Sequence, residues 1–218
     1  MKKIILSAAA IVAIAFSAKA QETETPAFGF SAGNIIVEGN LSWNSTKEEE
    51  PGVETKENFF SFNPKAGYFI TDKFAVGVEL GIGSNKEEVT PDGAPTSEEK
   101  TNFFGAGVFG RYYFLELGQR FKTYAEVGVG FGGGKTEVDG TEISKNNGVN
   151  AGLDLGINYF ITPSFAINFG LADVISYNSF TLEDPATGDE TKTNTFEGNI
   201  NVFNNFFSTA TFGLTYKF

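Results

Sequence analysis

Histidine and cysteine are both absent from this 218-residue chain. Without His there is no Ser-His-Asp or Cys-His catalysis and no imidazole ligand for zinc. Without Cys no disulfide can form in an oxidising compartment. Basic residues are few, 16 Lys and Arg against 27 Asp and Glu. That balance disfavours nucleic acid as a partner, since phosphates call for a basic patch. Met and Trp occur once each. Past the amino terminus, no stretch approaches the ~18 consecutive apolar residues of a membrane helix. A membrane strand is only half apolar, however, and escapes that criterion. No catalytic residue, cofactor or metal site is expected from this composition.

Glycine and phenylalanine are plentiful instead, at 26 and 24 residues. The amino terminus predicts a cleaved secretory signal over 1–20. Lys2 and Lys3 supply the positive region, Ile4 to Phe16 is apolar apart from Ser7, and Ala18-Lys19-Ala20 gives a small-x-small cleavage pattern before Gln21. Removing Lys2, Lys3 and Lys19 leaves 13 basic residues against 27 acidic ones, a net charge of −14. The expected layout is a periplasmic lead-in over 21–33 and one β-barrel domain over 34–218.

Period two dominates the remainder of the chain. The last seven residues set Phe212, Leu214, Tyr216 and Phe218 against Gly213, Thr215 and Lys217. Alternation of this kind gives a strand one apolar and one polar face. Over 74–85, Phe74, Val76, Val78, Leu80 and Ile82 oppose Ala75, Gly77, Glu79, Gly81 and Gly83. Similar segments cover 34–46, 58–70, 101–114, 121–135, 148–161 and 165–181. An eighth ends at Phe218, with its start open between Asn194 and Asn205. Short connections near Thr71, Leu117-Gly118 and Pro163 alternate with long polar ones over 47–57, 86–100, 137–147 and from 183 to 193 or beyond. Short turns on one side and long loops on the other predict an eight-stranded antiparallel up-and-down transmembrane β-barrel.

The same alternation fits a lipocalin-like barrel with an apolar cavity, so the direction of the apolar face decides. Gly crowds the polar face, where it is useful only in a cramped interior. The polar face also carries a few charges of both signs. Glu38, Glu79, Glu126 and Asp154 come close to cancelling Lys65, Arg111, Lys122 and Lys217, as charges inside a narrow barrel must. Aromatics gather where strands meet turns. Tyr68, Phe69, Phe74, Tyr112, Tyr113, Phe114, Phe121, Tyr159, Phe160, Phe165, Tyr216 and Phe218 are expected as one interfacial girdle. Trp43, Phe59, Phe60, Phe103 and Phe104 are expected as the other.

The stretch from Asn63 to Gly77, NPKAGYFITDKFAVG, resembles the second hairpin of small outer-membrane β-barrel proteins, often labelled porin family. The whole mature chain is similar to the membrane domain of OmpA- and OmpX-type proteins. The carboxyl-terminal Phe212, Leu214, Tyr216 and Phe218 resemble the signature by which such barrels are recognised for insertion. The resemblance implies residence in the bacterial outer membrane, contact with outer-membrane lipid and lipopolysaccharide, and handling by periplasmic chaperones and barrel-assembly machinery. It brings no catalytic signature.

An interior this narrow is filled by side chains, so Lys65, Arg111, Glu79, Glu126 and Asp154 are expected as an ion-pair plug for a barrel serving envelope integrity or surface interaction. A narrow ion or solute channel is the alternative. The three carboxylates could serve as acid and base but are better explained as partners of Lys65 and Arg111. The long loops are acidic, and 174–181 with 195–206 keep an alternation that could raise a hairpin above the bilayer, its edge open to an extracellular protein.

Overall fold

The computed structural model describes residues 28–198 and 210–218. The predicted signal, with Ala18, Ala20 and Gln21, lies outside them. The described residues form nine strands: β1 (Ile35–Glu50), β2 (Val53–Phe69), β3 (Phe74–Pro91), β4 (Ser97–Leu117), β5 (Phe121–Val138), β6 (Thr141–Thr162), β7 (Phe165–Glu183), β8 (Glu190–Gly198) and β9 (Ala210–Lys217). Every pairing is antiparallel, and β9 bonds both to β7 and to β1, which closes the sheet. β8 runs along Ile175–Glu183 of β7 and β9 along Phe165–Leu171. The two are the upper and lower parts of one stave, so the cylinder has eight.

Ile175 and Leu171 are four positions apart on β7, whereas their partners Gly198 and Ala210 are twelve positions apart. The surplus is eight. Being even, it leaves the inward and outward parity of the stave unchanged. Among the described residues, the seam between β1 and β9 sets Ile36, Val37, Glu38 and Gly39 opposite Lys217, Tyr216, Thr215 and Leu214. The Phe218 amide extends it by donating to the Ile35 carbonyl at 2.9 Å.

Burial decides the direction of the faces. Val78, Leu80 and Ile82 are about half exposed, while Arg111 and Glu126 are 1% and 3% exposed. The interior is charged and the exterior apolar, the reverse of a lipocalin. Gly on the inner face makes room for large neighbours. A Cβ on Gly77 would overlap the Phe109 ring, and one on Gly156 would overlap Tyr124.

The girdle expectation is corrected at five aromatic positions. Phe69, Tyr113 and Phe160 are buried inside the barrel, whereas their neighbours Tyr68, Tyr112 and Phe114 face outward. Phe59 and Phe103 stack on each other, ring centroids 6.3 Å apart, on the lumen side, while Phe60 and Phe104 are exposed. Strand parity, not position near a turn, sets which of two adjacent aromatics meets lipid.

The long connections reach high above the apolar band, and most of their residues are strand. Between β1 and β2 only Pro51 and Gly52 turn, Gly52 at φ +87°. Between β5 and β6 only Asp139 and Gly140 turn, both with positive φ, the tight geometry whose twist suits a hairpin. Asp92 to Thr96 and Asp184 to Asp189 are the other two tips.

Candidate functional site

A polar layer crosses the lower half of the lumen, and each of the eight staves contributes to it. Glu38 on β1 is its hub. Its carboxylate accepts from both terminal nitrogens of Arg111 on β4, at 2.7 Å each. It also accepts from the Thr215 hydroxyl on β9 at 2.7 Å and the Asn168 amide on β7 at 3.2 Å. Arg111 Nε donates to Glu126 on β5 at 2.6 Å. Glu126 receives Lys65 from β2 at 2.6 Å, and Lys65 reaches Glu79 on β3 at 2.8 Å. On β6, Asn158 accepts from the Tyr113 hydroxyl and donates to Thr215, both at 2.9 Å. A guanidinium fork matched by two carboxylates is the strong form of a charge-assisted hydrogen bond.

Aromatic faces complete the cage. The Arg111 guanidinium lies 4.1 Å from the centroid of the Tyr124 ring and 5.3 Å from that of Phe109. Lys65 is 5.4 Å from the Phe109 centroid. Cation–π contacts of this kind gain strength where water is excluded.

Below the polar layer the lead-in enters the barrel. Phe30 stacks on Phe69 at 4.3 Å and meets Tyr113 at 4.7 Å and Phe160 at 5.1 Å between centroids. Lys217 donates to the Gly29 carbonyl at 2.6 Å, and Arg120 lies over the Phe28 ring. Above the polar layer is a cavity of about 350 Å³, lined among others by Asn40, Asn63, Glu79, Asn150 and Asp154.

Of the eight charges expected in the lumen network, Glu38, Lys65, Glu79, Arg111 and Glu126 are joined by the contacts above. Asp154 lines the cavity and Lys217 ties down the lead-in. Lys122 is buried too, but it pairs with Glu116 at 2.7 Å. A register shift between Tyr113 and Leu115 sets Glu116 opposite Lys122. Phe212, Leu214 and Tyr216 face outward as the alternation requires, and Tyr216 packs edge-on against Phe218. Tyr113, Asn158, Asn168 and Thr215 are site members that a search by charge misses. Asn158 and Thr215 lie on the polar side of the alternation, and that position is the signal that finds them.

The described residues contain no group of three or more Asp or Glu placed to hold a metal ion. Among solved structures, the chain is similar to the outer membrane protein OprG from Pseudomonas aeruginosa, at 14% identity over 87% of this chain and 98% of that one, with a TM-score of 0.48. It is similar to E. coli outer membrane protein W at 12% identity, over 86% and 99%, with a TM-score of 0.44. Ail, the attachment invasion locus protein of Yersinia pestis, aligns at 16% identity over 86% and 99%, with a TM-score of 0.40. No curated protein sequence matches this one. The sequence profile of the outer membrane protein beta-barrel domain matches residues 6–218. A closed eight-stave cylinder, apolar outside and charged within, thus belongs to the outer membrane protein beta-barrel family and resides in the bacterial outer membrane.

Proposed function

We propose that this protein is a non-enzymatic outer-membrane barrel whose lumen is plugged, and that it serves envelope integrity or surface interaction through the part standing above the membrane. The observation that carries this reading is Arg111, 1% exposed and held between Glu38 and Glu126. Removing either sign would strand the other in a buried site, so the layer holds itself shut. The aromatic floor around Phe30 adds a second barrier beneath it. The edge of β8, which among the described residues pairs only with β7, offers an extracellular protein a strand to pair with. The outward Phe212, Leu214 and Tyr216 support recognition by periplasmic chaperones and assembly machinery.

A narrow porin-like channel is the second reading. The polar cavity of about 350 Å³ directly above the layer favours it. Planar-bilayer conductance separates the two, using refolded residues 21–218 beside Glu79→Ala, with folding verified by a heat-sensitive gel shift. The plugged reading expects silence from both proteins. Discrete openings altered by Glu79→Ala would overturn it and put Lys65 and Glu126 on an ion path.

A further inference from the structure

The outer surface above the apolar band repeats one ladder of cross-strand pairs in every hairpin. On β1–β2, going up, the directly opposed pairs are Trp43·Phe60, Ser45·Asn58, Lys47·Lys56 and Glu49·Glu54. On β3–β4 they are Ile82·Phe104, Ser84·Asn102, Lys86·Lys100 and Glu88·Glu98. On β5–β6 they are Phe131·Val149, Gly133·Asn147, Lys135·Lys145 and Glu137·Glu142. The β7–β8 hairpin carries Tyr177·Phe196, Ser179·Asn194, Thr181·Lys192 and Glu183·Glu190. Apolar, small polar, lysine, glutamate: the order recurs in all four hairpins, with Gly133 in place of a polar residue and Thr181 in place of a lysine.

The lysine rung sits four residues beyond the apolar rung on every strand that has it. At ~3.3 Å per residue that is about 13 Å along the strand, or about 10 Å of height at a tilt of ~40°. Between hairpins the asparagine of one faces the lysine of the next, as in Asn58·Lys86 and Asn102·Lys135. That stagger of two residues offsets the tilt and keeps the lysines at a common level around the cylinder.

A ladder built only to hold the hairpins together would set opposite charges face to face, because directly opposed like charges destabilise an antiparallel pair. Three of the four hairpins oppose Lys to Lys, the fourth sets Thr181 against Lys192, and all four oppose Glu to Glu. Unlike charges of the ladder face each other directly only between hairpins, at Lys56·Glu88, Lys100·Glu137 and Lys145·Glu183. Within a hairpin the ion pairs run on the diagonals or along a strand. Lys47 reaches Glu54 at 3.0 Å, and Lys86 reaches Glu98 at 2.9 Å. Sign is sorted by height instead, positive toward the membrane and negative away from it. Such layering matches a sheet of negative charge lying just above the hydrocarbon. Each ammonium has three donors, and its carboxylate partners lie above it, so it can also donate downward by bending along its stem.

The geometry points to three phosphate-binding clamps, Lys47·Lys56, Lys86·Lys100 and Lys135·Lys145, that hold the phosphorylated headgroups of outer-leaflet glycolipid. The acyl chains lie on the apolar rung, the sugars meet the Ser and Asn rung, and each lysine pair closes on one phosphate. The inference rests on the outer-membrane placement and is independent of whether the lumen conducts.

Native mass spectrometry of the refolded full-length mature protein in detergent tests it, with bisphosphorylated lipid A as the probe. Up to three lipid A molecules are expected per barrel, and Lys86→Gln with Lys100→Gln should reduce the number to two. Neutralising all six lysines should weaken binding at least tenfold, while six Lys→Arg changes should retain it. Dephosphorylated lipid A should bind the native barrel no better than the six-Gln variant does. Inorganic phosphate and a soluble sulfated polysaccharide should not compete at concentrations equal to the lipid. Unchanged stoichiometry in the Lys86, Lys100 double variant overturns the clamps, as does equal binding of dephosphorylated lipid A or displacement by the soluble polyanion. Where the six-Gln barrel fails to fold, the double variant decides alone. A native chain lacking the heat-sensitive gel shift would count against membrane placement itself, a separate failure from a folded barrel indifferent to phosphate.

Discussion

Arg111 joins two carboxylates, Glu38 and Glu126. Replacing it with Met leaves Glu38 without its cation in the barrel interior while Glu126 keeps Lys65, and a buried ion pair that loses one member costs about 3–5 kcal/mol. Arg111→Met is therefore expected to lower the urea midpoint of the barrel in lipid vesicles by a corresponding amount. A double variant adding Glu38→Gln should recover part of the loss. An unchanged midpoint for Arg111→Met would show that the network does not carry stability. The charged members of this site were legible from parity alone, because Glu38, Lys65, Glu79, Arg111 and Glu126 interrupt a face otherwise filled with Gly and Asn. Their pairing was not legible. Which carboxylate each cation meets depends on barrel stagger, and Lys122 went to Glu116 through a one-residue shift in β4 that no alternation pattern records.

At the scale of the hairpin, polar sequence did not mean irregular structure. Alternation marks a strand only while one side meets lipid and the other the lumen. Above the membrane both sides are wet, the apolar signal ends at Trp43, Phe60, Ile82 and Phe104, and the backbone ladder continues without it. A subtler signal was present in the returning strands. Glu54-x-Lys56-x-Asn58-x-Phe60, Glu98-x-Lys100-x-Asn102-x-Phe104 and Glu190-x-Lys192-x-Asn194-x-Phe196 share one pattern, hidden when these stretches are summed as acidic loops. Hydrogen bonding from lysine holds the carboxyls of Glu54, Glu88 and Glu137 below their ordinary value near 4.5, with Lys56, Lys86 and Lys135 as the leading donors. A depressed carboxyl stabilises the folded hairpin above the unfolded pKa, and that contribution is lost as pH falls through the folded one. Carbon-13 titration should give these three groups midpoints below 4.5, and amide protection near the tips, corrected for intrinsic exchange, should drop as pH falls below them. Midpoints at the value of free glutamate would contradict the pairing.

The whole molecule is a stack of layers along one axis: an aromatic floor closed by Phe30, a charged layer tied to all eight staves, a polar cavity, and hairpins standing clear of the lipid. The layers are joined by long strands, and the strands by many registered pairs, except at one place. Among the described residues, four of β1 face four of β9, whereas β1 and β2 are paired along sixteen positions. Glu38 and Thr215, which meet across that seam, are 177 residues apart in sequence. Contacts so distant along the chain form late, since loop closure must precede any gain from them. The seam thus becomes a matter of rates. Zipping it is expected as the last event of assembly, and its opening as the step that sets how long the folded barrel survives. Val37 and Tyr216 are direct cross-strand partners, at a spacing a disulfide can bridge, in a chain with no other cysteine. Val37→Cys with Tyr216→Cys, once oxidised, should slow unfolding in urea several-fold, and reduction should return the native rate. An oxidised form that unfolds as fast as the reduced one would place the weak point elsewhere in the wall.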